Sequence, residues 1–131
     1  INMVEALLTA LHLSQVGECP AATVRWVKEA LSQGAIYGAY TPQGQPVSAI
    51  ESTAIYALCA LLGDSEGDQA LAAAAMDKLH AFQVDDKQSA LYGAFADAST
   101  LQAYSFDNLM ALAALRKQAQ HTASGEKGGG A

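Results

Sequence analysis

The hydrophobic pattern of the chain is strongest over residues 48–63, which read SAIESTAIYALCALLG. From position 54 onward almost every residue is apolar, so a helix here would be apolar around most of its circumference. Such a helix has to be covered on most sides. Ser48 and Glu51 have the spacing of a capping box at its start, and Gly63 offers a stop. We therefore predict a central helix over 48–63, with the other helices packed around it.

Four further segments show helical periodicity. Pro20 suits the first position of a helix that reaches about Gln33. The acidic residues of 64–68 suit the start of a helix that reaches about Gln83. A last helix is predicted over 105–118. The first helix is predicted over 2–13, because its apolar residues recur at i, i+3, i+4 and i+7: Val4, Leu7, Leu8 and Leu11.

Two pieces of the chain recur in the same order. IYGAY at 36–40 resembles LYGAF at 91–95, and YALCAL at 56–61 resembles MALAAL at 110–115. The repeated unit is an aromatic loop, a linker and a buried helix, which predicts stacked or circularly arranged helical hairpins. The two long loops, 34–47 and 84–104, both precede a buried helix. We expect them at one end of the helix array, where long loops often bind ligands.

Composition sets limits on the class of protein. The chain is 51% hydrophobic, and no run rich in Val, Ile and Thr predicts a strand, so the class is all-α. The net charge is −6, and the seven Lys and Arg are scattered, which argues against nucleic acid and anionic membranes. No stretch reaches the roughly 20 apolar residues of a membrane span. We divide the chain into a helical domain over 1–118 and a flexible tail over 119–131, which has linker composition.

The cysteines and histidines give no sign of a metal or cofactor site. Neither HExxH spacing nor a Cys/His cluster occurs among the three His and two Cys, and no Gly-rich phosphate loop is visible. We expect no metal and no cofactor. Cys59 is interpreted as a small buried side chain, and a disulfide with Cys19 is left open.

Carboxylates next to aromatic residues are the remaining candidate chemistry. Glu51 and Asp107 each lie at the start of a predicted helix, beside a long loop. Sugar-binding clefts stack aromatic rings on pyranoses, and glycosidases use two carboxylates across the scissile bond. A structural interpretation is open for each residue: Glu51 as a capping partner, Asp107 as a helix-start charge, and the aromatic residues as loop packing. The candidate substrate-binding residues are Tyr37, Tyr40, Tyr92, Phe95, Tyr104 and Asp107.

Several segments, taken in order, resemble the C-terminal part of family 8 glycoside hydrolases. They are LLTALHL, WVKEAL, GAIYGAY, IESTAIYALCALL, FQVDD, ALYGAF and YSFDNLMALAAL. The resemblance covers residues 1–116 and is closest to divergent bacterial members described as endoglucanases. It implies a partial (α/α)6 toroid of about five helices arranged as helical hairpins. It also implies a secreted or cell-surface location and inverting hydrolysis of a β-linked polysaccharide or oligosaccharide.

The resemblance also implies a catalytic residue. The family's general base is an Asp in a Tyr-Asp-Ala type motif at the start of an inner helix. The equivalent place here is AIES at 49–52, so Glu51 takes the base position with one extra methylene. The family's proton-donor motif has no counterpart in this chain. The implied partner is therefore an N-terminal portion of the same protein or a second chain, and open apolar helix faces would also suit a homodimer.

A different class of function is left open. The chain can equally be a non-catalytic α-helical repeat module for protein interaction or carbohydrate binding. A terpenoid-handling α/α toroid is a third class, but no Asp-rich diphosphate motif is present.

Overall fold

The structure, a computed structural model, describes residues 1–97 and 100–128. Over these residues it contains five α-helices and no strand, and only isolated β-bridges join the loops. This confirms the predicted all-α class and the number of helices. The helices are α1 (Met3–Gln15), α2 (Ala21–Gln33), α3 (Thr53–Ser65), α4 (Gln69–His80) and α5 (Ser105–Gly128).

The helices form two layers, and the third helix lies at the centre of the first layer. α3 packs against α1 on one side and against α5 on the other, and it pairs with α4 through the short turn that joins them. α2 contacts α4, so α1, α3 and α5 form one layer, and α2 and α4 form the second. Every residue from Thr53 to Ala60 is buried, as the unbroken apolar run predicted. The alternation of layers along the chain is that of helical hairpins in part of a toroid.

The predicted start of the central helix is wrong by five residues. α3 begins at Thr53, and its N-cap residue Ser52 makes no side-chain capping bond. The predicted capping box does not form, because the segment before the helix is extended. In that segment the carbonyl of Ile50 accepts a hydrogen bond from the Gly38 N–H at 2.8 Å. The cap of α3 comes instead from Asp107 on α5, whose Oδ1 accepts from the Ala54 N–H at 2.9 Å.

Four predicted helix ends also differ from the structure. α1 continues to Gln15 instead of ending at Leu13, and α4 ends at His80 instead of at about Gln83. Gly63 does not stop α3, which continues to Ser65. α5 does not end at Gln118 but continues to Gly128, and no Gly or Pro stands between Gln118 and Gly125 to end it earlier. Residues 119–128, predicted as flexible tail, therefore extend the helix. Positions 129–131 of that tail lie outside the described residues, and the division into domain and tail stays a prediction.

Both long loops lie where α1, α3 and α5 begin. Gly38, in the first loop, accepts a hydrogen bond from the Met3 N–H of α1 at 2.9 Å and donates one to Ile50, just before α3. In the second loop, Phe95 is held by Asn108 of α5, which accepts from the Phe95 N–H at 3.0 Å and donates to its carbonyl at 2.9 Å. The loops thus share one end of the array, as the sequence predicted.

The opposite end holds the acidic turn between α3 and α4. Asp68 caps α4 by accepting from the Leu71 N–H at 2.9 Å, and Lys28 of α2 donates to its other oxygen at 2.7 Å. The Lys28 ammonium, and then the Leu71 N–H, hold the pKa of Asp68 below its usual value. This contact ties the two helices of the second layer together.

Both cysteines are free thiols, so no disulfide joins them. Cys59 is fully buried in α3, and burial raises the pKa of its thiol to about 12. This agrees with its interpretation as a small core side chain. In the part of the chain that the structure describes, no helix has the length and hydropathy that crossing a membrane requires.

Candidate functional site

A groove of about 540 Å³ opens between the start of α3 and the second loop. Its volume is in the range of small-molecule sites. We call it the Glu51 groove, because the exposed side chain of Glu51 lines it. It brings together four of the residues predicted from the sequence: Glu51, Phe95, Tyr104 and Asp107. Further polar groups at its wall are Gln83, Asp97 and Gln102.

The carboxylate of Glu51 is held by a buried tyrosine. The hydroxyl of Tyr56, on α3, donates a hydrogen bond to Glu51 Oε1. The same hydroxyl accepts from the buried Ile36 N–H at 3.1 Å. The phenol oxygen therefore has one donor and one acceptor and is fully satisfied, as a buried tyrosine hydroxyl normally is. The bond fixes one Glu51 oxygen.

Burial keeps Tyr56 a hydrogen-bond donor. Its side chain is 0% exposed, and burial, followed by the hydrogen bond to the Glu51 carboxylate, raises the pKa of Tyr56 above its usual value. Burial disfavours the phenolate, and a neighbouring carboxylate disfavours it further. Tyr56 therefore keeps its proton throughout the neutral pH range, and its hydroxyl donates a hydrogen bond to Glu51.

Asp107 lies in the same groove but faces the backbone of α3. Its Oδ1 accepts from the Ala54 N–H in the first turn of α3, where a negative charge also interacts favourably with the helix dipole. The two carboxylates of the groove thus have different partners: a phenol for Glu51 and a backbone amide for Asp107.

Replacing Asp107 by alanine is expected to lower the free energy of unfolding by about 1 kcal/mol, because the cap of α3 is lost. Asp107→Asn should cost less, since its amide oxygen can still accept from the Ala54 N–H. Urea denaturation followed by circular dichroism measures both variants. Asp77→Ala, an exposed position on α4, removes the same charge and serves as the control. Equal losses of unfolding free energy in the alanine and asparagine variants would show that the negative charge of Asp107 stabilises α3, and that its hydrogen-bond acceptor does not.

The aromatic residues of the groove differ in exposure. Tyr104 is 60% exposed, and its hydroxyl donates to Gln102 Oε1 at 3.1 Å, so a ring face is open at the groove edge. Phe95 is only 4% exposed and packs into the core. Of the two, only Tyr104 presents a surface on which a sugar ring could stack.

The other three predicted aromatic residues lie outside the Glu51 groove. Tyr37 and Tyr40 line a separate depression beside α2, and Tyr92 lines a third one with His80 and Asp85. Tyr40 is 8% exposed, so neither ring face is open to a sugar. The candidate substrate-binding residues are therefore divided among three depressions at one end of the molecule.

Three residues that organise this end were not predicted as such. Tyr56 was assigned to the apolar run, although a phenol inside a buried Ala/Leu helix signals a hydroxyl that needs a partner. Asn108 pairs with both backbone groups of Phe95 and also donates to the Tyr104 carbonyl at 2.9 Å. Trp26 of α2 packs edge-on against Tyr40 of the first loop.

No three His, Cys, Asp or Glu side chains come together as potential metal ligands within residues 1–97 and 100–128. The groove itself is lined by carboxylates, amides, hydroxyls and aromatic rings.

Comparison with known proteins supports the helical architecture. A solved structure described as "a novel alpha-amylase from Clostridium perfringens" superposes with a TM-score of 0.84 and 36% sequence identity, over 89% of this chain and 36% of that one. The Bacillus subtilis (strain 168) protein named "Putative lipoprotein YdaJ" is 31% identical over 120 residues, which cover 89% of this chain and 33% of the relative. No protein-family profile matches.

The chain spans about a third of the length of each of these two proteins. It shares the helical, glycoside hydrolase-like fold of part of the clostridial structure, which confirms the expected fold at that level. Membership of family 8 in particular stays a prediction.

Proposed function

We propose that this chain is the C-terminal portion of a glycoside hydrolase that binds a polysaccharide in the Glu51 groove. The observation that carries the proposal is the exposed Glu51 carboxylate, fixed by a buried phenol at the start of the central helix. The similarity to a structure described as an alpha-amylase supports a carbohydrate ligand. Tyr104 supplies the open aromatic face that such a ligand would use.

In this proposal Glu51 is the general base of an inverting hydrolysis. One Glu51 oxygen is occupied by the Tyr56 hydroxyl, and the other can accept a proton from the attacking water. Inversion requires an acid about 6.5–9.5 Å from the base, on the other side of the scissile bond. Because Asp107 caps α3, we assign the acid to the portion of the protein that precedes this chain. Cleavage would therefore require both portions.

The exposed face of α5 supports such a second portion. Phe106, Leu109 and Leu112 recur at spacings of three residues and are 46%, 64% and 60% exposed. They lie on one side of the helix, and an apolar face of this kind usually marks an interface. A preceding helical portion of the same protein, or a second chain, would cover it.

Two sources of support differ on the linkage. The resemblance to family 8 favours a β-linked polysaccharide, whereas the name of the clostridial structure favours an α-linked one. The name of the Bacillus relative supports a location at the cell surface. We propose the β-linked substrate, and hydrolysis of an α-linked glucan in its place would correct the linkage while retaining the groove.

A non-catalytic carbohydrate-binding module is the second candidate. It is favoured by Asp107, the second predicted carboxylate, which is used as a helix cap instead of facing an acid–base partner. In that case the groove would bind sugars without cleaving them.

The test is an assay of the complete protein on two soluble polysaccharides, a mixed-linkage β-glucan and starch. Reducing ends measure cleavage, and the anomer first formed, observed by proton NMR, measures inversion. We expect cleavage of the β-glucan with inversion. Binding without cleavage would select the second candidate. If the protein neither binds nor cleaves either polysaccharide, both candidate functions are refuted.

A further inference from the structure

A second aromatic depression lies beside α2. It has a volume of about 390 Å³ and shares no lining residue with the groove. We call it the outer depression, and it lies between α2 and the first loop. Its principal lining residues are Trp26, Glu29 and Gln33 from α2 and Tyr37, Tyr40 and Gln45 from the loop.

Tyr40 holds the aromatic wall of the outer depression in place. Its buried ring lies edge-on to Trp26, with ring centroids 5.3 Å apart and planes at 90°. It is also 6.5 Å from the ring of Tyr37, and its hydroxyl accepts from the Tyr37 N–H at 3.0 Å. Trp26 and Tyr37 are each half-buried. The result is two partly open rings, positioned by a third that is buried behind them.

Three polar side chains at the edge of this wall are unused. Within the described residues, the side chains of Glu29, Gln33 and Gln45 have no hydrogen-bond partner, and all three residues are exposed. The two amides supply donors and acceptors, and the carboxylate supplies acceptors. Together with the rings, they offer apolar faces beside several free hydrogen-bonding groups, which is the complement of a pyranose ring with its C–H face and hydroxyls.

We propose that the outer depression binds a sugar unit of a polysaccharide independently of the Glu51 groove. The sugar stacks on Trp26 or Tyr37, and its hydroxyls bond to Glu29, Gln33 and Gln45. The site is non-catalytic and holds the polysaccharide beside the enzyme. It takes its ligand class from the proposed function but not its residues, so the two can be tested separately.

Trp26 reports directly on this site, because it is the only tryptophan of the chain. The experiment titrates the complete protein with a β-linked and an α-linked glucan hexaose and follows the tryptophan fluorescence that the Trp26→Phe variant lacks. We expect a saturable change with one of them. The double variant Glu29→Ala and Gln33→Ala should weaken binding at least about tenfold, the equivalent of one or two lost hydrogen bonds. Both positions are exposed on α2, and circular dichroism checks that the helix is retained.

Tyr104→Ala, in the Glu51 groove, is the matched control and should leave the fluorescence titration within about twofold of wild type. No saturable change with either hexaose, or equal binding by the Glu29/Gln33 variant, would overturn the proposal. A loss of the saturable fluorescence change in Tyr104→Ala would also overturn the proposal. Hydrolysis by the complete protein without a Trp26 response would refute the outer depression alone. A Trp26 response without hydrolysis would refute only the catalytic proposal.

Discussion

Replacing Glu51 by glutamine is expected to lower the kcat of the complete protein by about 10²–10⁴-fold, the usual contribution of a general base. The amide has nearly the same shape but cannot take a proton from the attacking water. The KM should change little, because the groove and its exposed Tyr104 are left intact. Initial rates of reducing-end release on the polysaccharide that the wild type cleaves measure both constants.

Tyr56→Phe is the coupled variant that tests how Glu51 is held. Removing the hydroxyl frees the carboxylate and leaves the Ile36 N–H without its partner. We expect kcat to fall about tenfold to a hundredfold through misplacement of the base. In the Glu51→Gln background the same change should cost almost nothing further, since Tyr56 acts through Glu51. Equal rates for Glu51→Gln and wild type would remove Glu51 from the reaction.

The central position of α3 could be predicted because its cause is local. A helix that is apolar on every side is stable only where other helices surround it, and Thr53 to Ala60 are buried accordingly. The start of α1 was predictable for a similar reason, since Asn2 accepts from the Glu5 N–H at 3.2 Å as a local cap. Patterns of this kind need no knowledge of distant parts of the chain.

The start of α3 could not be predicted, because its cause is distant in sequence. The spacing of Ser48 and Glu51 suggested a local cap, but the backbone before Thr53 is drawn into contact with Gly38. The Ala54 N–H, in the first turn of the helix, is then capped by Asp107, which lies 53 residues later in the chain. A cap across two helices leaves no pattern in the neighbouring residues.

The repeat explains why the candidate aromatic residues do not share one depression. Tyr40 and Phe95 occupy the same position in IYGAY and LYGAF, and both are buried. Tyr37 and Tyr92 also correspond, and each lies at the edge of its own depression. Each of the two five-residue motifs therefore buries its last aromatic residue as an anchor and turns the first toward the surface. All four were predicted as binding residues because each is an aromatic residue of a long loop next to a carboxylate.

Gly63→Ala is expected to destabilise the fold by about 2 kcal/mol. A Cβ at Gly63 would lie 2.6 Å from the Ala72 nitrogen, 3.0 Å from its Cα and 3.1 Å from the Asp68 carbonyl oxygen. All three are backbone atoms of α4 and its cap, so no side chain can turn aside. Overpacking of this kind costs about 3 kcal/mol, and the better helix propensity of alanine recovers about 1 kcal/mol. Thermal denaturation should show a Tm lower by roughly 5–10 °C.

Gly125→Ala is the matched control, because Gly125 also lies in a helix but has no atom within 4 Å of an added Cβ. It should leave the Tm unchanged or raise it slightly, since alanine loses less conformational freedom than glycine. The contrast separates close packing from helix propensity. A Gly63→Ala variant as stable as Gly125→Ala would mean that α4 can move away from α3. The close α3–α4 pair, on which the buried position of the central helix depends, would then have to be revised.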